Sequence, residues 1–166
     1  MHTLETKLGY VFHRPELLEN ALYHSSYANE HRGAGISSNE RLEFLGDAVL
    51  GFVTAEYLYT KHPDMPEGDL TRIRAALVCE ESLHEVAQYL GLGEYLRLGR
   101  GEELGGGRRR PSILADATES VFAAVYLDGG MDAARDLIHR VLLDKEQEEQ
   151  VEERRRDYKT ELQELV

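Results

Sequence analysis

The chain has 166 residues, with 31 acidic side chains against 19 Lys or Arg side chains and a formal net charge of −12. This length allows one domain with a hydrophobic core, whereas the acidic balance argues against strong nucleic-acid binding by the whole surface. The single Cys79 excludes an intrachain disulfide, no apolar run reaches bilayer length, and residues 1–7 lack a signal-peptide core, so a soluble cytoplasmic protein is expected.

Hydrophobic periodicity predicts helices along the chain, and no segment shows the two-residue alternation of a strand. Pro15 and Pro111 suit the first turns of helices. Gly91, Gly129 and Gly130 suit helix ends. The predicted helices span residues 3–9, 15–28, 38–61, 67–79, 82–91, 111–128 and 131–150. The fold class is therefore predicted to be all-α.

Two glycine-containing segments are predicted as loops. Residues 31–38 precede the third helix, and residues 98–110 hold five glycines among charged residues. The second loop ends in three arginines, Arg108, Arg109 and Arg110. These arginines are interpreted as phosphate contacts beside a metal site, with a solvated surface loop as the alternative.

The third predicted helix carries three carboxylates on one face. At roughly 100° per residue, Glu43 lies about 60° and Asp47 about 20° from Glu40 around the helix axis. Clustered like charges destabilise a helix, more so when they are partly buried, and a bound cation is the simplest remedy. Two alternatives stand beside this hypothesis: Glu40 complements the helix dipole, and the other two acids lie on a solvated face. The opposite face, expected to meet the core, holds Leu42, Leu45, Val49 and Phe52.

A second acidic pair lies in the predicted helix over residues 111–128. Asp116 and Glu119 are about 60° apart on one face, in a segment that is otherwise small or apolar. Ordinary surface placement is the alternative to a functional role. If this helix packs beside the first acidic helix, four or five carboxylates converge in one pocket.

The chemistry of such a pocket follows from its donor atoms. Carboxylate oxygens favour hard cations, so Mg²⁺ is predicted, with Mn²⁺ as a substitute and no small-molecule cofactor. The chain has no His-Glu-x-x-His pattern, no Walker-type glycine loop and no Gly-x-Ser-x-Gly elbow. What remains is metal-assisted displacement at phosphorus.

Residues 39–50, Asn-Glu-Arg-Leu-Glu-Phe-Leu-Gly-Asp-Ala-Val-Leu, closely resemble the signature segment of ribonuclease III, the double-strand-specific RNA endonuclease. Residues 39–47 are the most specific part of the match. The resemblance extends to residues 17–31, 67–68, 100–103 and 112–119. Residues 157–164 also resemble the start of the double-stranded-RNA-binding domain that follows in bacterial members.

The resemblance implies a homodimeric, all-helical endonuclease domain over residues 1–150. Residues 151–166 would then be a linker and the start of an RNA-binding domain that is missing or truncated. The implied activity is Mg²⁺-dependent cleavage of double-stranded RNA, such as rRNA and mRNA precursors, leaving 5′-phosphates and short 3′ overhangs. The partners implied are double-stranded RNA and a second copy of the chain, with no membrane.

The resemblance also implies roles for individual residues. The catalytic acids would be Asp47 and Glu119, and the metal ligands Glu43, Asp47, Asp116 and Glu119. Glu40 and Glu67 would be additional acids lining the cleft. Phe44 matches an aromatic side chain that plugs into the partner subunit.

Two other interpretations stay open at this point. An all-α, Mg²⁺-dependent nucleotide pyrophosphohydrolase also uses acid pairs spaced like Glu40 and Glu43. A non-catalytic RNA-binding scaffold of the same fold is the second alternative, although all four metal acids are present here. One departure from the family pattern is Ser25, which stands where an arginine is common after His24.

Overall fold

The computed structural model describes residues 1–147, and this part of the chain is helical with no strand. Its α-helices are α1 His2–Leu8, α2 Pro15–Ala21, α3 Ser25–Glu30, α4 Glu40–Lys61, α5 Glu67–Leu77, α6 Glu80–Leu90, α7 Arg100–Leu104 and α8 Pro111–Ile138. Short 3₁₀ turns lie at Arg32–Ala34, Leu92–Glu94 and Gly107–Arg109, and a π-helix follows at His139–Gln147. The all-α prediction is confirmed.

The prediction of a single helix over residues 15–28 is wrong, because this range contains α2 and the start of α3. The chain leaves helical geometry in the middle of this range, where Tyr23 pairs with Arg97 in an isolated parallel bridge. His24 then starts α3 as its N-cap, because its ring accepts a hydrogen bond from the backbone N–H of Ser26 at 3.1 Å. The break depends on a partner that is distant in sequence, so local periodicity does not predict it.

The prediction of a loop over residues 98–110 is also wrong, since this segment contains α7 and a 3₁₀ turn. The start of α7 is tied to α3 by two backbone donors. The N–H of Gly99 donates to the Ser26 hydroxyl at 2.8 Å, and the N–H of Arg100 donates to the Glu30 carboxylate at 2.5 Å. A Cβ atom built on Gly99 would lie 2.7 Å from the backbone oxygen of Ser26, so this glycine allows close packing of α7 against α3.

The last two predicted helices are separated by a kink at Gly130, inside the range given above for α8. Gly130 has φ +86° and ψ 177° within α8, a conformation that favours glycine. The predicted helix end at residue 150 and the predicted domain boundary there lie outside the described residues. So does the segment 151–166.

Helices α4 and α8 form the centre of the core, and their mutual contact is the most extensive between helices of the described chain. Residues 121–125 of α8 are fully buried, as expected for a helix that is apolar around most of its circumference. The buried face of α4 includes Val49 and Val53, but Phe52 is 53% exposed. The predicted core position of Phe52 is wrong because this residue lies to one side of that face.

Within residues 1–147, no helix is long and apolar enough to span a bilayer.

Asp128 fastens the N-terminal segment to α8. Its side chain is only 1% exposed. It accepts hydrogen bonds from the Tyr10 hydroxyl at 2.7 Å and from the backbone N–H groups of His13 and Arg14 at 2.8 and 2.9 Å. Burial alone would raise the pKa of this carboxyl, but the hydrogen bonds lower it to about 2.

Replacing Asp128 by alanine should lower the free energy of unfolding by roughly 2–3 kcal/mol at pH 7, because three donors lose a charged acceptor. Chemical denaturation measures this change. Asp132→Ala in the same helix is the control, since that carboxylate is fully exposed in its pair with Arg135 and should contribute less than about 1 kcal/mol.

The Asp128 effect should also depend on pH. The folded-state pKa is about 2, below an unfolded value of about 3.9. The stabilisation is therefore complete above the unfolded pKa and is lost as the pH falls through the folded pKa. An Asp128→Ala deficit of the same size at pH 2 as at pH 7 would contradict this account.

Candidate metal centre

The candidate centre lies where α4 crosses α8, and Gly46 sets their separation. A Cβ atom built on Gly46 would lie 1.8 Å from the backbone oxygen of Glu119, so only glycine allows this approach. Glu43 and Asp47 flank Gly46 on α4, and Asp116 and Glu119 lie on the facing part of α8. The close crossing therefore brings acids from two helices to one place.

A buried asparagine aligns the two helices beside this crossing. Asn39 precedes α4 and is 6% exposed. Its amide donates to the backbone oxygen of Ala21 at 2.9 Å, and its own backbone oxygen lies 3.2 Å from the Ser120 hydroxyl, which donates to it. The start of α4 is thus fixed both to α8 and to the segment before α3.

Three carboxylates converge at the crossing. Oxygen atoms of Glu43, Asp116 and Glu119 all lie within 4.8 Å of one another. Glu119 is 9% exposed, and the other two are half-buried. Asp47 is exposed at the edge of the group and shares a hydrogen bond with Glu119. The structure therefore brings together three of the four acids that the sequence predicted as metal ligands, and Asp47 lies beside Glu119.

Crowding of these acids raises their pKa values. Burial, a hydrogen bond with Asp47 and the neighbouring negative charges raise the pKa of the Glu119 carboxyl to about 8. Burial, together with the charge of Asp116 and a hydrogen bond to it, raises the pKa of Glu43 to about 7. Such shifts are typical of carboxylates that are held together with no counter-charge.

A hard divalent cation fits this donor set. The convergent ligand atoms are all carboxylate oxygens from rigid helices, and no histidine or cysteine belongs to the group within residues 1–147. Binding would replace shared protons by a cation, because carboxylate ligands must be deprotonated. The raised pKa values are those expected of acids that share protons when the cation is absent.

The other predicted acids lie at different distances from the centre. Glu40 is exposed in the first turn of α4, close enough to contribute to the raised pKa of Glu43. Glu67 starts α5, is exposed, and is not in the convergent group. The structure adds Glu80, the first residue of α6, whose charge raises the pKa of Asp116 after the larger effect of burial. No spacing in the sequence indicates Glu80.

The three arginines predicted as RNA contacts are not equivalent. Arg108 is half-buried and donates to the backbone oxygens of Gly93 and Leu96, both at 2.8 Å, and to the Glu103 carboxylate. Arg110 pairs with Glu102. Arg109 is exposed and forms no ion pair within the described chain.

Known proteins resemble this chain in sequence and in fold. The profile of the Ribonuclease-III-like family matches residues 14–146. Ribonuclease 3 of Desulforamulus reducens is 52% identical to this chain, and the match covers 98% of this chain and 66% of the relative. Ribonuclease 3 of Listeria welshimeri is 49% identical, and the match covers 98% of this chain and 71% of the relative. The nuclease domain of ribonuclease III from Campylobacter jejuni has a TM-score of 0.80 and 41% identity, over 87% of this chain and 96% of that one.

The chain belongs to the ribonuclease III-like family, as the resemblance of residues 39–50 predicted. It spans about two thirds of the length of the curated relatives that it matches.

Gly46→Ala should destabilise the protein by about 3 kcal/mol, because the methyl group forces the α4–α8 crossing apart. Thermal and chemical unfolding measure the loss. Gly68→Ala in α5 is the matched control, since nothing lies within 4 Å of its built Cβ, and it should be neutral or stabilising by less than about 1 kcal/mol. Equal stability of the two variants would rule out the close crossing.

Proposed function

We propose that this chain is the nuclease core of a ribonuclease III-type endoribonuclease that hydrolyses double-stranded RNA with Mg²⁺. The products would carry 5′-phosphates and short 3′ overhangs, and Mn²⁺ would substitute for Mg²⁺. The observation that carries the proposal is the convergence of Glu43, Asp116 and Glu119 at the α4–α8 crossing in a chain of this family. A cytoplasmic role in processing rRNA and mRNA precursors is part of the proposal.

The acidic residues of the centre would have different roles. Glu43 and Asp116 share a hydrogen bond across the two helices and would become ligands when that proton leaves. The backbone of Glu119 lies at the closest point of the crossing, its side chain is buried, and Asp47 hydrogen-bonds to its carboxylate from the exposed side. A cation bound there supplies Lewis-acid polarisation of the phosphate and a more acidic water molecule.

The proposal is tested on a long, perfectly paired RNA duplex at low salt, with Mg²⁺ or with EDTA. Fragments that appear only with Mg²⁺ and carry 5′-phosphates and short 3′ overhangs are expected. Binding without cleavage would favour the scaffold alternative. Release of pyrophosphate from nucleoside triphosphates, with the duplex intact, would favour the pyrophosphohydrolase alternative.

Glu119→Gln should reduce duplex cleavage by about 100-fold or more, because an amide keeps the shape of the side chain but cannot supply a charged ligand. A gel-shift assay should show RNA binding close to that of the unmodified protein. Glu85→Gln, on the exposed surface of α6, is the control and should leave the rate unchanged. Undiminished cleavage by Glu119→Gln would remove α8 from the active centre.

We also propose that the protein is a homodimer joined along α4. Phe44, Phe52 and Tyr59 recur at near-helical spacing on that helix and are 82%, 53% and 75% exposed. An exposed aromatic row of this kind is typical of a protein interface. A related nuclease domain from Campylobacter jejuni has a region involved in dimer formation, which supports the proposal.

Phe44→Glu should weaken the dimer by at least about 30-fold, since a charge would replace an exposed aromatic side chain of the proposed interface. Light scattering over a dilution series measures the dissociation constant. Leu104→Glu on α7 is matched for exposure, at 82% for both wild-type side chains, and should leave the dimer intact. A stable Phe44→Glu dimer would place the interface elsewhere.

Arg109 is proposed as the principal phosphate contact of the arginine segment, because Arg108 and Arg110 form ion pairs with Glu103 and Glu102.

The domain division at residue 150 and the RNA-binding segment beginning in residues 151–166 stay predictions. Binding by the nuclease core should weaken strongly as salt rises.

A further inference from the structure

His24 is held in one orientation by a chain of hydrogen bonds. The N–H of Gly99 donates to the Ser26 hydroxyl at 2.8 Å, and that hydroxyl lies 2.8 Å from Nδ1 of His24. The backbone N–H of Ser26 also donates to Nδ1, at 3.1 Å. Because a backbone N–H can only donate, Nδ1 must be the acceptor, and the ring proton lies on Nε2.

The segment that carries His24 is fastened to the acidic centre. The backbone N–H of Asn39 donates to the backbone oxygen of Tyr23 at 2.8 Å. The backbone oxygen of Asn39 in turn accepts from Ser120, whose hydroxyl also lies 2.9 Å from the backbone oxygen of Asp116. Burial raises the pKa of the Asp116 carboxyl, and His24 is close enough to oppose that rise.

The Nε2–H group of His24 has no acceptor within the described chain. The hydrogen bonds of the ring go through Nδ1 alone. The residue is half-buried, and Nε2 is not fully buried, so this nitrogen is at least partly exposed to solvent. A donor held in one direction close to the Asp116 carboxylate suits an anionic ligand that enters the same site.

We propose that His24 is a substrate-contacting residue whose Nε2–H donates to a non-bridging oxygen of the phosphodiester at the acidic centre. The inference rests on the proposed nuclease function. Such a contact would orient the phosphate at the acidic centre. The hydrogen bonds of Ser26 and Gly99 set the direction of this donor.

Two substitutions separate this role from a purely structural one. His24→Asn keeps an acceptor for the Ser26 N–H, since asparagine is a favoured N-cap. Its side chain is too short to place a donor where Nε2 lies. His24→Gln supplies a weaker N-cap, but the amide nitrogen of glutamine reaches about as far as Nε2. A structural role therefore ranks His24→Asn above His24→Gln, and a substrate contact ranks them in the opposite order.

Single-turnover cleavage of the RNA duplex in saturating Mg²⁺, together with thermal unfolding, tests the proposal. His24→Asn should melt near the wild-type temperature and cleave about 10- to 100-fold more slowly, as for loss of a hydrogen bond to a charged group. His24→Gln should recover most of that rate even if it melts lower.

Three results would overturn the proposal. His24→Asn could cleave at the wild-type rate, or His24→Gln could be no faster than His24→Asn. Either result, with an active wild-type protein, rejects the role of His24 alone. A wild-type protein that binds duplex RNA but does not cut it in Mg²⁺ rejects the nuclease function, and the His24 contact with it.

Discussion

The contact between Gly46 and the backbone of Glu119 is the constraint on which the rest of the molecule depends. It places the backbones of α4 and α8 closer than any residue with a Cβ would allow. The same approach buries residues 121–125 and brings Glu43 within reach of Asp116. Stability and site geometry are therefore set by one crossing, so neither can be altered there independently of the other.

The acidic centre works against the stability of this crossing. Burial and like-charged neighbours destabilise the ionised form of a carboxyl group. The pKa values of Glu43 and Glu119 are raised for this reason. Apolar packing around α8 and the hydrogen bonds of Asn39 hold the helices together in spite of it. A bound cation would relieve the repulsion, and electrostatic repulsion of this kind is typical of a functional site.

Sequence patterns predicted the features that depend on local geometry. Helical spacing placed Glu43 with Asp47, and Asp116 with Glu119, because residues three or four apart share a face. Patterns could not predict the break before His24 or the existence of α7, since both depend on partners distant in the chain. The proximity of Glu80 to Asp116 also arises only from tertiary packing.

The pairing of Arg108 and Arg110 with acids of α7 would have a consequence for RNA binding by the proposed nuclease. Each phosphate contact made by a free cationic side chain releases about one condensed counterion from the nucleic acid. Two of the three arginines here already have Glu103 and Glu102 as their counter-ions. This segment would therefore release about one ion rather than three, and most of the entropy gained from counterion release would have to come from other surfaces of the protein.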